Sequence, residues 1–199
     1  MSSAEKAAVS IRPMTEDDYP QVQAILQSGM DTGEATYERK APEWPNFTEN
    51  RLMNLAFVAE EKDSEHAKIL GWVTASPISH REVFRGVIED SIYVSENAAG
   101  KGVAGQLLDH LLKSAAEQGY WAMHSHIFPD NVGSVKLHES RGFTPVGVLH
   151  SMSMMDYGPK AGTWRDNLLM EVVLERGPAW EAFQNRNEED KTQPCDCED

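Results

Sequence analysis

Two features of this chain are suited to chemistry: a glycine-rich run able to hold an anion, and a few carboxylates and imidazoles around it. Gly100-Lys101-Gly102-Val103-Ala104-Gly105 satisfies the pattern G-x-G-x-x-G between a predicted strand and a predicted helix. Glycines let the backbone approach a ligand, and the unpaired N–H groups at a helix start point at anions such as pyrophosphate. A dinucleotide fingerprint is the first reading of such a run. Two features count against it. That fingerprint opens its domain, whereas here most of the strand-forming sequence comes first. The acidic ribose ligand expected about twenty positions later is also missing, since the next strand ends in Ile127-Phe128-Pro129. A different pyrophosphate is the expected ligand, and a purely structural glycine turn is the alternative.

Glu89, on the strand before the glycine run, is a carboxylate that can take a proton. Along its strand Glu89, Ser91 and Tyr93 share one face, and Asp90, Ile92 and Val94 share the other. Asp90 is the second candidate, and a solvated edge carboxylate is the plain structural reading. His124 and His126 lie two apart on a strand and share a face. With no third ligand at suitable spacing they read as packing or pocket lining, and no metal is expected. Met152, Met154 and Met155 read as a core edge or dimer surface. Cys195 and Cys197 sit in the last five residues, where they can neither staple a fold nor complete a metal site.

The elements that must position these groups alternate. Strands are predicted at Val9–Pro13, Leu55–Glu60, Ile69–Ser76, Val87–Val94, Tyr120–Phe128, Phe143–Ser151 and Leu168–Leu174. Thr15 and Asp18 start a helix whose apolar face is Tyr19, Val22, Ile25 and Leu26. Residues 29–48 read as a long functional loop with one turn of helix, followed by a helical Asn50–Met53. Lys62–Lys68 reads as a charged hairpin turn and Pro77–Gly86 as a polar connection. The clearest helix carries Val103/Ala104, Leu107/Leu108, Leu111/Leu112 and Ala115/Ala116, with Gly119 as its C′ residue. A shorter helix is expected at Val132–Ser140. Two strand–helix–strand steps in the second half require some parallel pairing. The expected fold is mixed α/β, a partly parallel central sheet flanked by helices on both faces.

The expected organisation is a flexible segment 1–8, one domain over 9–176, and an acidic tail 177–199 that begins as a short helix and ends disordered. That tail carries seven acidic against two basic residues. The whole chain, 199 residues, has 32 acidic and 18 basic side chains and a formal charge of −14. Such a balance excludes a protein built mainly to grip nucleic acid or an anionic membrane. No apolar run approaches the ~20 residues of a membrane span, and Met1-Ser2-Ser3-Ala4-Glu5-Lys6 lacks the apolar centre of a secretory signal. A cytoplasmic location is expected.

Ile92-Tyr93-Val94, then Ala99-Gly100-Lys101-Gly102-Val103-Ala104, then an amphipathic helix resembles the acetyl-coenzyme A motif of the GNAT superfamily of N-acetyltransferases. Asn131-Val132-Gly133-Ser134 and Leu137-His138-Glu139-Ser140-Arg141-Gly142-Phe143 resemble that superfamily's second signature. Ile11-Arg12-Pro13, Thr36-Tyr37-Glu38, Glu89-x-Ser91-Ile92-Tyr93-Val94, Leu137-His138-Glu139 and Gly162-Thr163-Trp164-Arg165-Asp166 narrow the resemblance to the phosphinothricin acetyltransferase-like branch. It spans about Ile11 to Leu174. The chain departs at Ala99, where the family usually has Arg or Gln, and in a longer stretch between Leu149 and Trp164.

The resemblance implies a GNAT-like acyl-coenzyme A N-acyltransferase fold, acetyl-coenzyme A as acetyl donor, and a small-molecule amine as acceptor, an amino acid or analogue like phosphinothricin. It implies Glu89 as the base acting through water, and a bulge in its strand. It places His138 where the thiolate is protonated, with packing beside Phe143 or coenzyme binding as the alternatives. Ile92, Tyr93, Val94, Gly100, Lys101, Gly102, Val103, Ala104, Gly105, Asn131 and Ser134 would hold the coenzyme, with the Val94 N–H toward the thioester oxygen. Arg81, Phe84, Tyr37 and Trp164 would hold the acceptor, Arg81 pairing with its carboxylate. Relatives are commonly homodimers, and a dimer is expected. A protein-lysine acetyltransferase and a non-catalytic acyl-coenzyme A-binding regulator are the rival functions.

Overall fold

The computed structural model describes residues 9–62 and 68–185. Residues 1–8, 63–67 (most of the expected Lys62–Lys68 turn) and 186–199, with Cys195 and Cys197, lie outside the described residues. Seven strands form one sheet: β1 (Val9–Pro13), β2 (Phe57–Glu61), β3 (Ile69–Pro77), β4 (Val87–Val94), β5 (Ala122–Ile127), β6 (Thr144–Met154) and β7 (Trp164–Val173). The helices are α1 (Tyr19–Asp31), α2 (Trp44–Glu49), α3 (Val103–Glu117), α4 (Val132–Glu139) and α5 (Trp180–Gln184). Spatial order is β1-β2-β3-β4-β5-β7-β6.

Every neighbouring pair is antiparallel except β4 and β5. Only the step through α3 therefore gives parallel partners. The step through α4 does not, because β7 inserts between β5 and β6. Expected helix Asn50–Met53 is instead a 3-10 turn at Met53–Leu55, and β6 and β7 run longer than the sequence pattern indicates. Residues 177–185 carry α5, whose Trp180 and Phe183 rings sit 5.8 Å apart.

Two apolar layers cover the sheet. On one face α1 packs Val22, Leu26 and Met30 with Phe47, Trp72 and Val58. On the other, α3 buries Val103, Leu107, Leu108, Leu111 and Ala115 against Val73, Ala75, Ile88 and Met123. Each of those fully buried leucines contributes about 2 kcal/mol by transfer from water. The β2–β3 register slips by one between Ala59 and Glu60, leaving Leu70 as the extra residue. That bulge changes the phase of β3, so Ile69 and Trp72 both reach the α1 layer while Leu70 and Val73 reach the α3 layer.

Arg12 ties three elements together. Its guanidinium donates to Asp18 at 2.7 and 2.8 Å and to Glu60 at 2.6 Å. Asp18 also accepts the Thr15 N–H at 2.8 Å, closing the turn that leads into α1. The same contacts hold the Asp18 carboxyl below its ordinary range, the Arg12 hydrogen bond being the largest cause.

Candidate active site

The parallel seam between β4 and β5 is short. It pairs Val87 with Ala122, Ile88 with Met123 and Glu89 with His124, and then stops. Beyond it β4 stays with β3 as far as Val94, and β5 stays with β7 as far as Ile127. The two strands therefore part at Glu89 and form a V open toward their C-terminal ends. Ser95 N–H donates to Leu70 O on the β3 side. By alternation the N–H and C=O groups of Ile92 and Val94 turn the other way, into the V. The β3–β4 pairing runs without a register shift from Val94 to Ile88. The bulge expected in β4 is thus absent, and plain alternation sets which side chains face where.

A cavity of about 530 Å³ occupies this V. One wall is Glu89 through Val94, the other Ser125 through Phe128. Asn131, Ser134 and His138 close it from α4, Ala35, Thr36 and Tyr37 from the long loop, and Met152 and Asn167 from β6 and β7. Glu89, His138, Ile92, Tyr93, Val94, Asn131, Ser134 and Tyr37 are thus brought together. Arg81, Phe84 and Trp164 are not. The turn carrying Arg81 and Phe84 precedes Val87, at the closed end of the V, and there the guanidinium sits 5.1 Å from the Phe84 ring centre. Trp164 begins β7 and is largely exposed.

Two carboxylate–histidine pairs sit where the strands part. Glu89 Oε1 is 3.1 Å from His126 Nδ1 on one face of the sheet. That hydrogen bond raises the His126 pKa against the opposing effect of burial. On the other face Asp90 Oδ2 is 3.2 Å from His138 Nε2, and Ser125 Oγ is 3.1 Å from the same nitrogen. His138 Nδ1 lies 2.7 Å from the Ser134 carbonyl oxygen, and its ring meets Phe143 edge-on at 4.9 Å. His124 turns to Glu171 at 3.3 Å. Among the described residues no group of three or more acidic, histidine or cysteine side chains is placed to hold a metal ion.

The glycine run follows the open end of β4. Gly100 and Gly102 have φ of +74° and +75°, which side-chain-bearing residues rarely adopt, and a Cβ at Gly100 would meet nothing within 4 Å. The first helical bond of α3 is Gln106 N–H to Gly102 O. The N–H groups of Gly102 through Gly105 therefore have no intrahelical acceptor. Val103 is buried in the core, so only its backbone is available, while Lys101 is exposed. At Gly105 a Cβ would lie 2.0 Å from the Arg141 guanidinium, the far end of a flexible side chain that would have to move aside. Asn131 caps α4, its side chain accepting the Ser134 N–H at 3.1 Å. Tyr93 stacks on Trp72 at 4.9 Å, and burial pushes its phenol up to about 12, so it stays neutral. An extended, amide-bearing arm along the open edge of β4 with an anion at the start of α3 fits this arrangement.

The sequence reading missed the device that shapes the mouth. Arg165 on β7 is buried, lies 3.9 Å from the Phe128 ring centre, and donates to Asp130 at 2.7 Å, Glu34 at 3.1 Å and Gly33 O at 3.3 Å. Lys160 bridges Glu34 and Asp130. The loop holding Thr36 and Tyr37 is thereby clamped across the cavity, and Tyr157 donates to Thr36 O at 2.8 Å.

The comparisons agree with this geometry. Residues 18–143 match the model of the acetyltransferase (GNAT) family. A phosphinothricin N-acetyltransferase of Alcaligenes faecalis is 32% identical over 181 residues, 86% of each chain. An L-methionine sulfoximine/L-methionine sulfone acetyltransferase of Pseudomonas aeruginosa is 34% identical over 108 residues, 54% of this chain and 60% of that one. A crystal structure of a phosphinothricin acetyltransferase from Sinorhizobium meliloti, in complex with acetyl-coenzyme A, has a TM-score of 0.74 and 27% identity, and covers 86% of this chain and 91% of that one. The sheet that parts at Glu89, the glycine run and the sequence likeness converge: this chain belongs to the GNAT acetyltransferase family.

Proposed function

We propose that the chain acetylates the α-amine of a small amino acid or analogue, phosphinothricin-like in class, with acetyl-coenzyme A as donor. The observation that carries this is the V between β4 and β5, with Glu89 at its apex and His138 on its wall. The relatives that act on phosphinothricin and methionine sulfoximine supply the acceptor class. Acetyl-coenzyme A supplies an activated thioester. Ile92 and Val94 offer backbone groups to its arm, and the N–H groups of Gly102 through Gly105 face its pyrophosphate, with Gly100, Lys101, Asn131 and Ser134 flanking.

Glu89 takes the ammonium proton, directly or through one water, at the oxygen not engaged by His126. His138 gives the Nε2 proton to the leaving sulfur. Tyr37 and Phe128 meet edge-on at 4.9 Å and form an apolar wall that limits water near the reacting atoms. A cytoplasmic location is part of this reading, because acetyl-coenzyme A is an intracellular metabolite. So is a homodimer. β6 is an edge strand exposing Val146, Val148, Leu149, Met152 and Met154, beside Trp164, and an apolar edge of that length calls for cover. Sedimentation should give twice the monomer mass, and a monomer would remove that part.

The test of function is a thiol-release assay with acetyl-coenzyme A across free amino acids, amino-acid analogues, polyamines and lysine peptides. Fastest turnover is expected with a free amino acid or analogue. Faster turnover of lysine peptides or polyamines would overturn the acceptor class.

A further inference from the structure

Asp90 and His138 each expose 1% of the side chain. What the ring touches fixes where its hydrogens are. The Ser134 carbonyl oxygen can only accept, so the Nδ1 that meets it at 2.7 Å carries a hydrogen. Nε2 faces Asp90 Oδ2 at 3.2 Å. A lone pair opposed to a carboxylate lone pair is repulsive, so the contact favours one proton between these two atoms, with the Ser125 hydroxyl, 3.1 Å from the same nitrogen, free to rotate and accept from it. The other carboxylate oxygen, Asp90 Oδ1, has no hydrogen-bond partner among the described residues. A buried carboxylate left that way depends on the proton at Oδ2, because an uncompensated buried charge is strongly disfavoured.

We infer that Asp90 is a positioning residue for His138, holding the ring in place and keeping one proton at the Nε2–Oδ2 contact for delivery into the cavity. This rests on His138 being the acid of the reaction. The Glu89–His126 pair lies on the opposite face of the sheet and is engaged with itself. Asp90 therefore serves a different step from Glu89, although the two are adjacent in sequence.

The surroundings favour the charged ring. Burial opposes it, but the Asp90 hydrogen bond and charge, with the Ser134 carbonyl, outweigh burial and raise the His138 pKa. Arg141, just beyond α4, works the other way and is itself held by Asp109 of α3 at 3.1 Å. Glu89 and His126 of β4 and β5 border the same cavity from the other face of the sheet, and from β7 comes the neutral Asn167. In the step, the amine nitrogen bonds to the carbonyl carbon and gives up its second proton to the medium as the amide forms, the carbon–sulfur bond breaks, and its electron pair stays on sulfur. His138 gives the Nε2 proton to that sulfur, and the proton that Glu89 removed from the ammonium returns to the medium, from which the pair is recharged.

The test compares the native chain with Asp90→Asn, Asp90→Ser and His138→Gln, each checked for folding by its melting curve. Nitrogen-15 NMR of the His138 ring in the free protein should show titration at least about one pH unit lower in both Asp90 variants. The alkaline limb of kcat should move down with it, and the KM for acetyl-coenzyme A should stay within about threefold of native, because no coenzyme contact is removed. An unshifted ring titration, or an unshifted alkaline limb, overturns the role of Asp90. Native turnover by His138→Gln overturns the acid assignment itself and with it this use of the pair. A slow His138→Gln with an unshifted Asp90→Asn titration removes Asp90 alone.

Discussion

Glu89 and Asp90 are consecutive in β4, yet their carboxylates meet different histidines on opposite faces of the sheet, His126 at 3.1 Å and His138 at 3.2 Å. Strand alternation separates two proton-handling groups that lie one residue apart in the chain. Both pairs border the same cavity, at the point where β4 and β5 part.

Replacing Glu89 by Gln keeps the shape and removes the base. kcat should fall by about 10²–10⁴-fold while acetyl-coenzyme A binding survives, since general-base help is typically of that size. The deficit should narrow as pH rises and the amine loses its proton unaided. Steady-state rates from pH 6 to 9, with calorimetry for binding, measure both. Native turnover at pH 7 would remove Glu89 from the chemistry.

Gly102→Val puts a branched residue at φ +75° and beside the N–H groups that start α3. Acetyl-coenzyme A affinity should drop at least about tenfold, or about 1.4 kcal/mol. Titration calorimetry on a variant with native circular dichroism decides it.

The turn carrying Arg81 stands outside the cavity, so Arg81→Ala should change the acceptor KM by less than about threefold, as expected for a residue making no contact in either state. A rise beyond about tenfold would bring that turn into the acceptor site.

Arg165→Met removes the centre of the clamp on the long loop. Charge-assisted hydrogen bonds to Asp130 and Glu34 are lost, and those carboxylates stay partly solvated, so a loss of about 2 kcal/mol is expected. Acceptor KM should rise as Tyr37 loses its anchor. Urea melts and acceptor saturation curves report the two effects separately.

Stability should also depend on pH near neutrality. His126 and His138 both titrate above the ordinary histidine value in the folded chain. A raised folded value gives stabilisation that is complete below the unfolded value of about 6.5 and lost as pH climbs through the folded one. The melting temperature should therefore decline above pH 6.5. In a Glu89→Gln/Asp90→Asn double variant that decline should be shallower. An equal slope in both proteins would sever the link to these pairs.

Much of this was legible in the sequence because its signals are local. The four-residue stripe of α3, the Asn131 cap and the Gly100–Gly105 run each follow from the types of near neighbours. The strand order, the β6–β7 exchange and the Arg165 clamp were not legible, since Glu34, Asp130, Lys160 and Arg165 are brought together only by the fold. Asp90 had a visible signal: it shares a strand face with Ile88, Ile92 and Val94, and a charge on an apolar face needs a partner. Its histidine lies 48 residues further along the chain, a separation no local pattern reports.

The three-pair seam between β4 and β5 has a further consequence. Among the described residues it is the only place where the strand set β1–β4 is joined edge to edge with the set β5, β7 and β6. The sheet is thus two antiparallel leaves on a narrow hinge, and the hydrogen bonds left out to admit a ligand are missing from that hinge. Sub-global opening should begin there, with amides beyond Glu89 and Ser125 exchanging with solvent before the interior of either leaf. A molecule bound along both arms would fasten the leaves together, so occupancy should slow exchange across the whole sheet as well as at the residues it touches.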